Sequence, residues 1–491
     1  MQGKRVFLIL AALIVLLSLG LNLAGNNVGL DRGLLLLPQP LEISTVVRGE
    51  PMPHPFYGPL SYYVYAMPVR VADGLRRALG GPPADPLWMQ RAARTVCALL
   101  GALCTLCVML IASRGLGRGV TLLAGVLAAF APGMVFMFHG ESVNAVMTLL
   151  ALATCAAAAW LATARAERIW HWASVALLGS LSAATKESSY GLMPGALFGV
   201  YCARELPHGL RLRRAARFVI KALLVGVVAL TLYWLINFSL FFPHQLDRHL
   251  DHYVPAAPEE RLSEAEVERR GLEPPWLYLS MVEQNLGPST LLWLGMGTIL
   301  LLRRRRGREL GWLFLSVSAA HYLSFCMPVH WFTYPSRGLK PYDVLFVSAL
   351  AAVPAAVALE YLWNARGRVR RSLGRGLALL VLLLVIISGV GVDLALLHPS
   401  AAGAARLIDE LPPGSTLYCG IDVYVSLPEQ LHSADQGQAD YALLVSRDQA
   451  VEGLLHEGYA IEAKLEIPWQ AALAPPGYRL QRQMVLLKRT Q

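Results

Sequence analysis

The chain has 491 residues, 55% of them hydrophobic and 15% charged, with a formal net charge of +10. An ordinary soluble domain has about a quarter of its residues charged, so this composition excludes a soluble globular enzyme. The positive charge is not a nucleic-acid surface either, because it falls in short clusters between alternate apolar blocks: Lys4–Arg5, Arg114 and Arg118, Arg165 and Arg168, Arg211–Arg217, Arg303–Arg308 and Arg366–Arg375. That alternation is the positive-inside pattern, which predicts a cytoplasmic N-terminus and basic loops facing anionic lipid headgroups.

Most of the apolar blocks are about 18 to 25 residues long, enough to span hydrocarbon as helices at about 1.5 Å per residue. Helices are required there because backbone amides find no water to bond. In chain order the expected spans lie near 5–24, 89–112, 119–138, 143–163, 171–185, 190–203, 218–241, 286–302, 310–328, 342–363 and 376–396. The fold class is therefore an α-helical polytopic membrane protein with about eleven transmembrane helices. The first block has the basic start of a signal peptide, but its length and its fit to the remaining topology predict a retained anchor. Large outward loops are expected at 25–88 and 242–284. An odd number of spans places the tail outside the cytoplasm.

That tail, residues 397–491, changes in kind. Turns at Pro412–Gly414 and Pro475–Gly477 separate short alternating runs, Thr416–Cys419 and Tyr441–Ser446, from helix-compatible stretches such as Ala401–Glu410. The mixture predicts a small extracytoplasmic α/β domain after a transmembrane domain of residues 1–396. Cys97, Cys104, Cys107, Cys155 and Cys202 lie inside expected helices and read as small apolar residues, and neither a disulfide framework nor a zinc site is supported.

No internal repeat is evident, and polar residues gather at the outward ends of helices rather than in mid-membrane. That placement suits a site at the outer face acting on a substrate whose tail stays in lipid. Several phrases there carry a resemblance. The first outward loop reads Gln39-Pro40-Leu41-Glu42, then His54-Pro55-Phe56-Tyr57-Gly58-Pro59-Leu60; the second span opens Arg91-Ala-Ala-Arg94. Then follow His139-Gly-Glu141-Ser-Val-Asn144, Leu181-Ser-Ala-Ala-Thr185-Lys186-Glu187, Pro274-Pro275-Trp276-Leu-Tyr278 with Leu286-Gly287-Pro288, and Arg337-Gly-Leu-Lys340-Pro341-Tyr342. In order and topology, over about residues 1 to 395, this resembles the GT-C superfamily of membrane glycosyltransferases, in particular the dolichyl-phosphate-mannose-protein mannosyltransferase and aminoarabinose transferase type. No single phrase is specific; their collinear order carries the likeness. Two positions depart from the family pattern: Leu41 stands where the first loop has the first acid of a pair, and Asn144 where the second outward turn has an aspartate. Both losses weaken the case for a divalent cation, which favours carboxylate oxygens, so the metal stays unassigned.

The resemblance implies transfer of a sugar from a polyprenyl-phosphate carrier to a glycan, glycolipid or protein acceptor at the outer face, with membrane lipid as the other partner and no nucleic acid. Glu42 is the candidate base for the acceptor's proton. Lys186, Arg94, Arg337 and Lys340 are candidates for the departing phosphate charge, although a basic side chain near a helix end also reaches headgroups by snorkelling. His54, Tyr57, His139 and Glu141 are candidate substrate-binding residues, although a lone interfacial histidine is more often a hydrogen-bonded structural residue. Tyr62, Tyr63 and Tyr65 fit either a sugar-stacking surface or an aromatic belt. The stretch His244–His252 has metal-like composition, and an amphipathic interfacial helix explains its spacing better. Two other functions fit the same outline: a catalytically inactive scaffold that binds lipid carriers, and a transporter or flippase, which would need a polar path through the membrane.

Overall fold

The computed structural model describes residues 2–24, 47, 60–140, 142–209, 212–240, 275–304, 306–326 and 341–397, and in the tail 407–419, 432–433, 438–445, 451, 454–455, 459–465 and 484–490. Fourteen α-helices are described here: α1 (Gln2–Leu23), α2 (Leu60–Ala78), α3 (Pro86–Ser113), α4 (Arg118–Ala129), α5 (Pro132–Met137), α6 (Val143–Thr163), α7 (Ile169–Thr185), α8 (Leu192–Arg204), α9 (Leu212–Trp234), α10 (Pro275–Leu286), α11 (Thr290–Arg303), α12 (Arg308–His321), α13 (Leu345–Trp363) and α14 (Arg368–Leu397). The protein is a multi-pass membrane protein. Every apolar segment expected to span carries helix. Among the described residues six helices are individually long and apolar enough to cross, and a seventh span arises if α10 and α11 count as one.

Two breaks have local causes. The segment expected as one span at 119–138 divides into α4 and α5 because Pro132 has no amide to donate to the preceding turn. Between α10 and α11 the chain bends by 101°. Pro288 cannot continue α10, and Gly287 (φ 107°) and Ser289 (φ 65°) take up the turn in the left-handed region.

The segment 25–88, expected as an outward loop, contains α2 and the start of α3. On α2 the buried residues Tyr62, Tyr65, Ala66, Val69 and Asp73 recur at helical spacing, so one stripe packs inward. Tyr62 and Tyr65 are thus core residues rather than members of an exposed belt.

At the centre stands α13. All fifteen residues from Leu345 to Leu359 are buried, and the helix packs on α11, α4, α14, α10, α6, α3 and α12. Its alanines allow approach from every side. In hydrocarbon, helices associate through such close van der Waals packing, not through a hydrophobic drive. The same logic joins α8 to α12: a Cβ on Gly195 would lie 2.8 Å from the Ser316 carbonyl oxygen and one on Gly199 2.8 Å from Leu313 Cα.

In the tail, five strands form one mixed sheet in the order β2-β1-β3-β5-β4, with β1 (Thr416–Cys419), β2 (His432–Ser433), β3 (Tyr441–Val445), β4 (Tyr459–Leu465) and β5 (Met484–Arg489). β1 runs parallel to β2 and β3, while β5 is antiparallel to β3 and β4. Ala442, Val451, Leu454, Tyr459 and Leu487 form its apolar core.

Candidate functional site

Polar side chains collect at one end of the bundle. The start of α6, the end of α7, the π-helical turn after α12, the end of α10 and the 3-10 turn Pro341–Val344 before α13 all meet there. Three helix ends supply the central group. Lys186 is the C-cap of α7, a position where a cation complements the helix dipole. Asp343 lies just before α13, where an acid is favoured for the converse reason. Asn144 opens α6, its amide bonded to the side chain of the N-cap Ser142.

Lys186 is only 5% exposed. Its Nζ donates to Asn144 Oδ1 at 2.7 Å and to Asp343 Oδ1 at 3.1 Å, and it lies 5.3 Å from the centre of the Tyr342 ring. A buried ammonium is costly unless paired and hydrogen-bonded; here one carboxylate, one amide oxygen and one aromatic face provide that. The surrounding elements are fastened separately. Asn285 Nδ2 donates to the Pro341 carbonyl (2.8 Å) and to Ser348 Oγ (2.9 Å), which ties α10 to the start of α13. Tyr65 Oη donates to the Ser142 carbonyl at 2.8 Å, and Cys97 Sγ to the Gly140 carbonyl at 3.0 Å, so α2 and α3 pin the turn before α6.

His139 bonds within the bundle through both ring nitrogens. Nδ1 is 2.5 Å from the Val135 carbonyl and Nε2 is 2.9 Å from Asp393 Oδ1 on α14. Both nitrogens are engaged inside the bundle, so that His139 ties α5 to α14. Arg94 is buried on α3. Glu42, His54, Tyr57, Glu141, Arg337 and Lys340, and the His244–His252 stretch, lie outside the described residues.

Sequence reasoning missed four members of this end: Asp343, Asn285, Asp393 and His321. His321, in the last turn of α12, is fully buried. Its ring faces Phe346 (centroids 4.8 Å apart), and Nδ1 is 3.4 Å from Tyr278 Oη. Among the described residues Nε2 makes no hydrogen bond. The available signal was simple: an ionisable residue inside an apolar segment marks a site by default, and a buried lysine requires a counter-ion. Among the described residues no three His, Cys, Asp or Glu side chains converge as a metal site would need.

With this geometry in hand, comparison with known proteins bears on the fold. No protein-family model matches the chain, and no curated sequence matches it. Solved structures do. The apo crystal structure of ArnT from Cupriavidus metallidurans matches over 99% of this chain and 98% of its own, with a TM-score of 0.50 at 13% identity. The apo oligosaccharyltransferase of Archaeoglobus fulgidus matches over 85% of this chain with a TM-score of 0.51 at 12% identity; the match spans 63% of that longer protein. The same archaeal protein in complex with zinc and sulfate gives a TM-score of 0.51 at 12% identity, over 84% of this chain and 60% of that one.

Proposed function

We propose, for a chain whose fold is that of the GT-C glycosyltransferases, that the protein transfers a sugar from a polyprenyl-phosphate carrier to an acceptor at the outer face of the membrane. The observation that carries this reading is the buried Lys186, held by Asn144 and Asp343 where three helix ends meet. A glycosyl transfer of this kind releases a lipid phosphate, and a positioned cation at a water-poor site stabilises the charge that develops. Asp343 orients the ammonium before the donor arrives, and the phosphate then shares it. Arg94 is a second cation at that end, and Arg337 and Lys340, which precede Pro341 in the sequence, are further candidates for the phosphate charge. Glu42 takes the proton of the acceptor hydroxyl as that oxygen bonds to the anomeric carbon; the phosphate leaves with the electron pair of the broken bond. His54, Tyr57 and Glu141 line the donor sugar or the acceptor. In the same reading the bundle spans about eleven times, the polar end faces outward, and residues 397–491 form an extracytoplasmic α/β domain.

A second reading, a catalytically inactive lipid-carrier-binding scaffold, is favoured by Asn144, a neutral residue whose side-chain oxygen is committed to Lys186. One experiment separates the two. Purified protein in lipid nanodiscs receives a panel of polyprenyl-phosphate sugars with crude envelope acceptors, and release of polyprenyl phosphate is followed by mass spectrometry. Release that collapses in Glu42→Gln supports the transferase with its base at Glu42. Release by both proteins keeps the enzyme and moves the base. Donor binding with no release from folded protein would establish the scaffold, and donor crossing without covalent product a transporter.

A further inference from the structure

The opposite end of the bundle holds a charged groove that the transfer site does not use. It encloses about 380 Å³ between the α6–α7 connection, the end of α8 and the start of α9. Four cations line it, Arg204, Arg214, Arg217 and Lys221, against two carboxylates, Glu167 and Glu205.

The charges divide unequally. Glu167 is consumed internally: its Oε1 is 3.3 Å from Arg204 Nε, and its Oε2 accepts from Lys221 Nζ. Arg204 also donates to the Leu161 and Ala164 carbonyls at 2.7 and 3.2 Å, closing the end of α6. Among the described residues Arg214 and Arg217 have no such partner. Both are exposed, and neither they nor Glu205 forms an ion pair among the described residues. Arg214, Arg217 and Lys221 recur at i, i+3 and i+7, so they share one face of α9.

Two further observations say what is missing. The first turn of α9 contains Arg213 and Arg214 and no acidic residue, although cations there oppose the helix dipole and the free amides of a helix start favour an anion. One turn onward the outer surface of α9 turns apolar and open: Ile220, Leu223, Leu224, Val227 and Val228 are all at least half exposed. An anion seated on Arg214 and Arg217 therefore lies at the head of an apolar strip long enough to take hydrocarbon chains.

We propose that this groove is a binding site for one anionic phospholipid, its headgroup phosphate on Arg214 and Arg217 and its acyl chains along α9. The claim is narrower than general attraction of basic loops to headgroups, because it predicts a single saturable lipid. It is independent of the transfer reaction.

The full-length protein, delipidated in detergent, is titrated with phosphatidylglycerol or phosphatidylcholine, and bound lipid is counted by native mass spectrometry. The first phosphatidylglycerol should bind about tenfold more weakly to the Arg214→Gln/Arg217→Gln variant, as expected when charge-assisted bonds to a phosphate are lost. Phosphatidylcholine binding should not change, and millimolar inorganic phosphate should not displace the phosphatidylglycerol. Glu205→Gln, which removes the competing carboxylate and leaves both arginines, should tighten binding about threefold. Equal phosphatidylglycerol binding by wild type and the double variant would overturn the proposal. So would no change with Glu205→Gln, or displacement by free phosphate, which would make this a site for a soluble anion.

Discussion

The two ends of this helix bundle are both rich in cations, yet they treat charge in opposite ways. At the polar end Lys186, Arg94, His139, Asp343 and Asp393 are withdrawn into the protein, and Lys186 and His139 meet carboxylates from helices distant in sequence. At the other end Arg114, Arg118, Arg165, Arg168, Arg303 and Arg306 are exposed. Their contacts lie at the surface, such as Arg114 stacked over Trp160 at 4.4 Å. The difference separates exposed charge, which needs only headgroups and water, from buried charge, which must be held against the cost of burial. A basic residue's identity says little about function here; its burial and partner say much.

The sharpest way to break this contrast is to unpair the buried lysine. Asp343→Ala should destabilise the protein by roughly 3 kcal/mol, read as a fall in the midpoint of thermal unfolding in detergent, because the ammonium is left buried without its carboxylate. The double change Lys186→Met/Asp343→Leu should recover most of that stability while polyprenyl phosphate release stays abolished. Recovery of both would remove Lys186 from the chemistry. Next in size, Asp393→Ala should cost about 2 kcal/mol by orphaning His139 Nε2, with transfer in the remaining folded protein within about twofold of wild type, since the pair is structural. Loss of transfer at unchanged stability would return His139 to the site.

The other end should respond weakly. Glu167 has a carboxyl held below the usual range: burial pushes it up, and the hydrogen bond from Lys221 with the charges of Arg204 and Lys221 more than compensates. A carboxylate with a depressed folded pKa contributes stability that is present above its unfolded value and fades as the pH falls through the folded one. Glu167→Gln should therefore lower stability at neutral pH by about 1 kcal/mol or less, given its partial exposure, and the difference from wild type should vanish at acid pH. A constant difference across the titration would mean that packing, not charge, is what Glu167 supplies. Smallest of all, Arg304→Gln removes a half-exposed pair with Glu360 at 3.1 Å and should cost about 0.5 kcal/mol. Screening by salt should erase it.

Much of the architecture was legible because hydrocarbon imposes a simple grammar. The segment 143–163 appears as α6 and Thr416–Cys419 as β1, each ending at the expected residue, since arginine, proline and turn residues punctuate them unmistakably. The amphipathic α2 was obscured by its modest overall apolarity, although its inward stripe has helical spacing. The break at Pro132 was hidden within a continuous apolar run. At the site, Lys186 and Asn144 were visible as parts of phrases, but Asp343 lies 157 residues from Lys186. Only the folded chain joins them. Likewise the pairing of His139 with Asp393, 254 residues away, cannot be read from the turn in which His139 sits.

The enclosure of α13 has a consequence for how the molecule is made. This helix follows some 340 residues in the chain, and almost its whole length is buried inside the protein. The preceding helices must therefore leave a slot along the middle of the assembly, lined by α3, α4, α6 and α11, until α13 arrives to fill it. Biogenesis cannot be a simple sequential accretion of finished layers. A nascent chain arrested before Pro341 would be inserted and correctly oriented yet hollow, a species that membrane quality control could recognise by the unfilled seam alone.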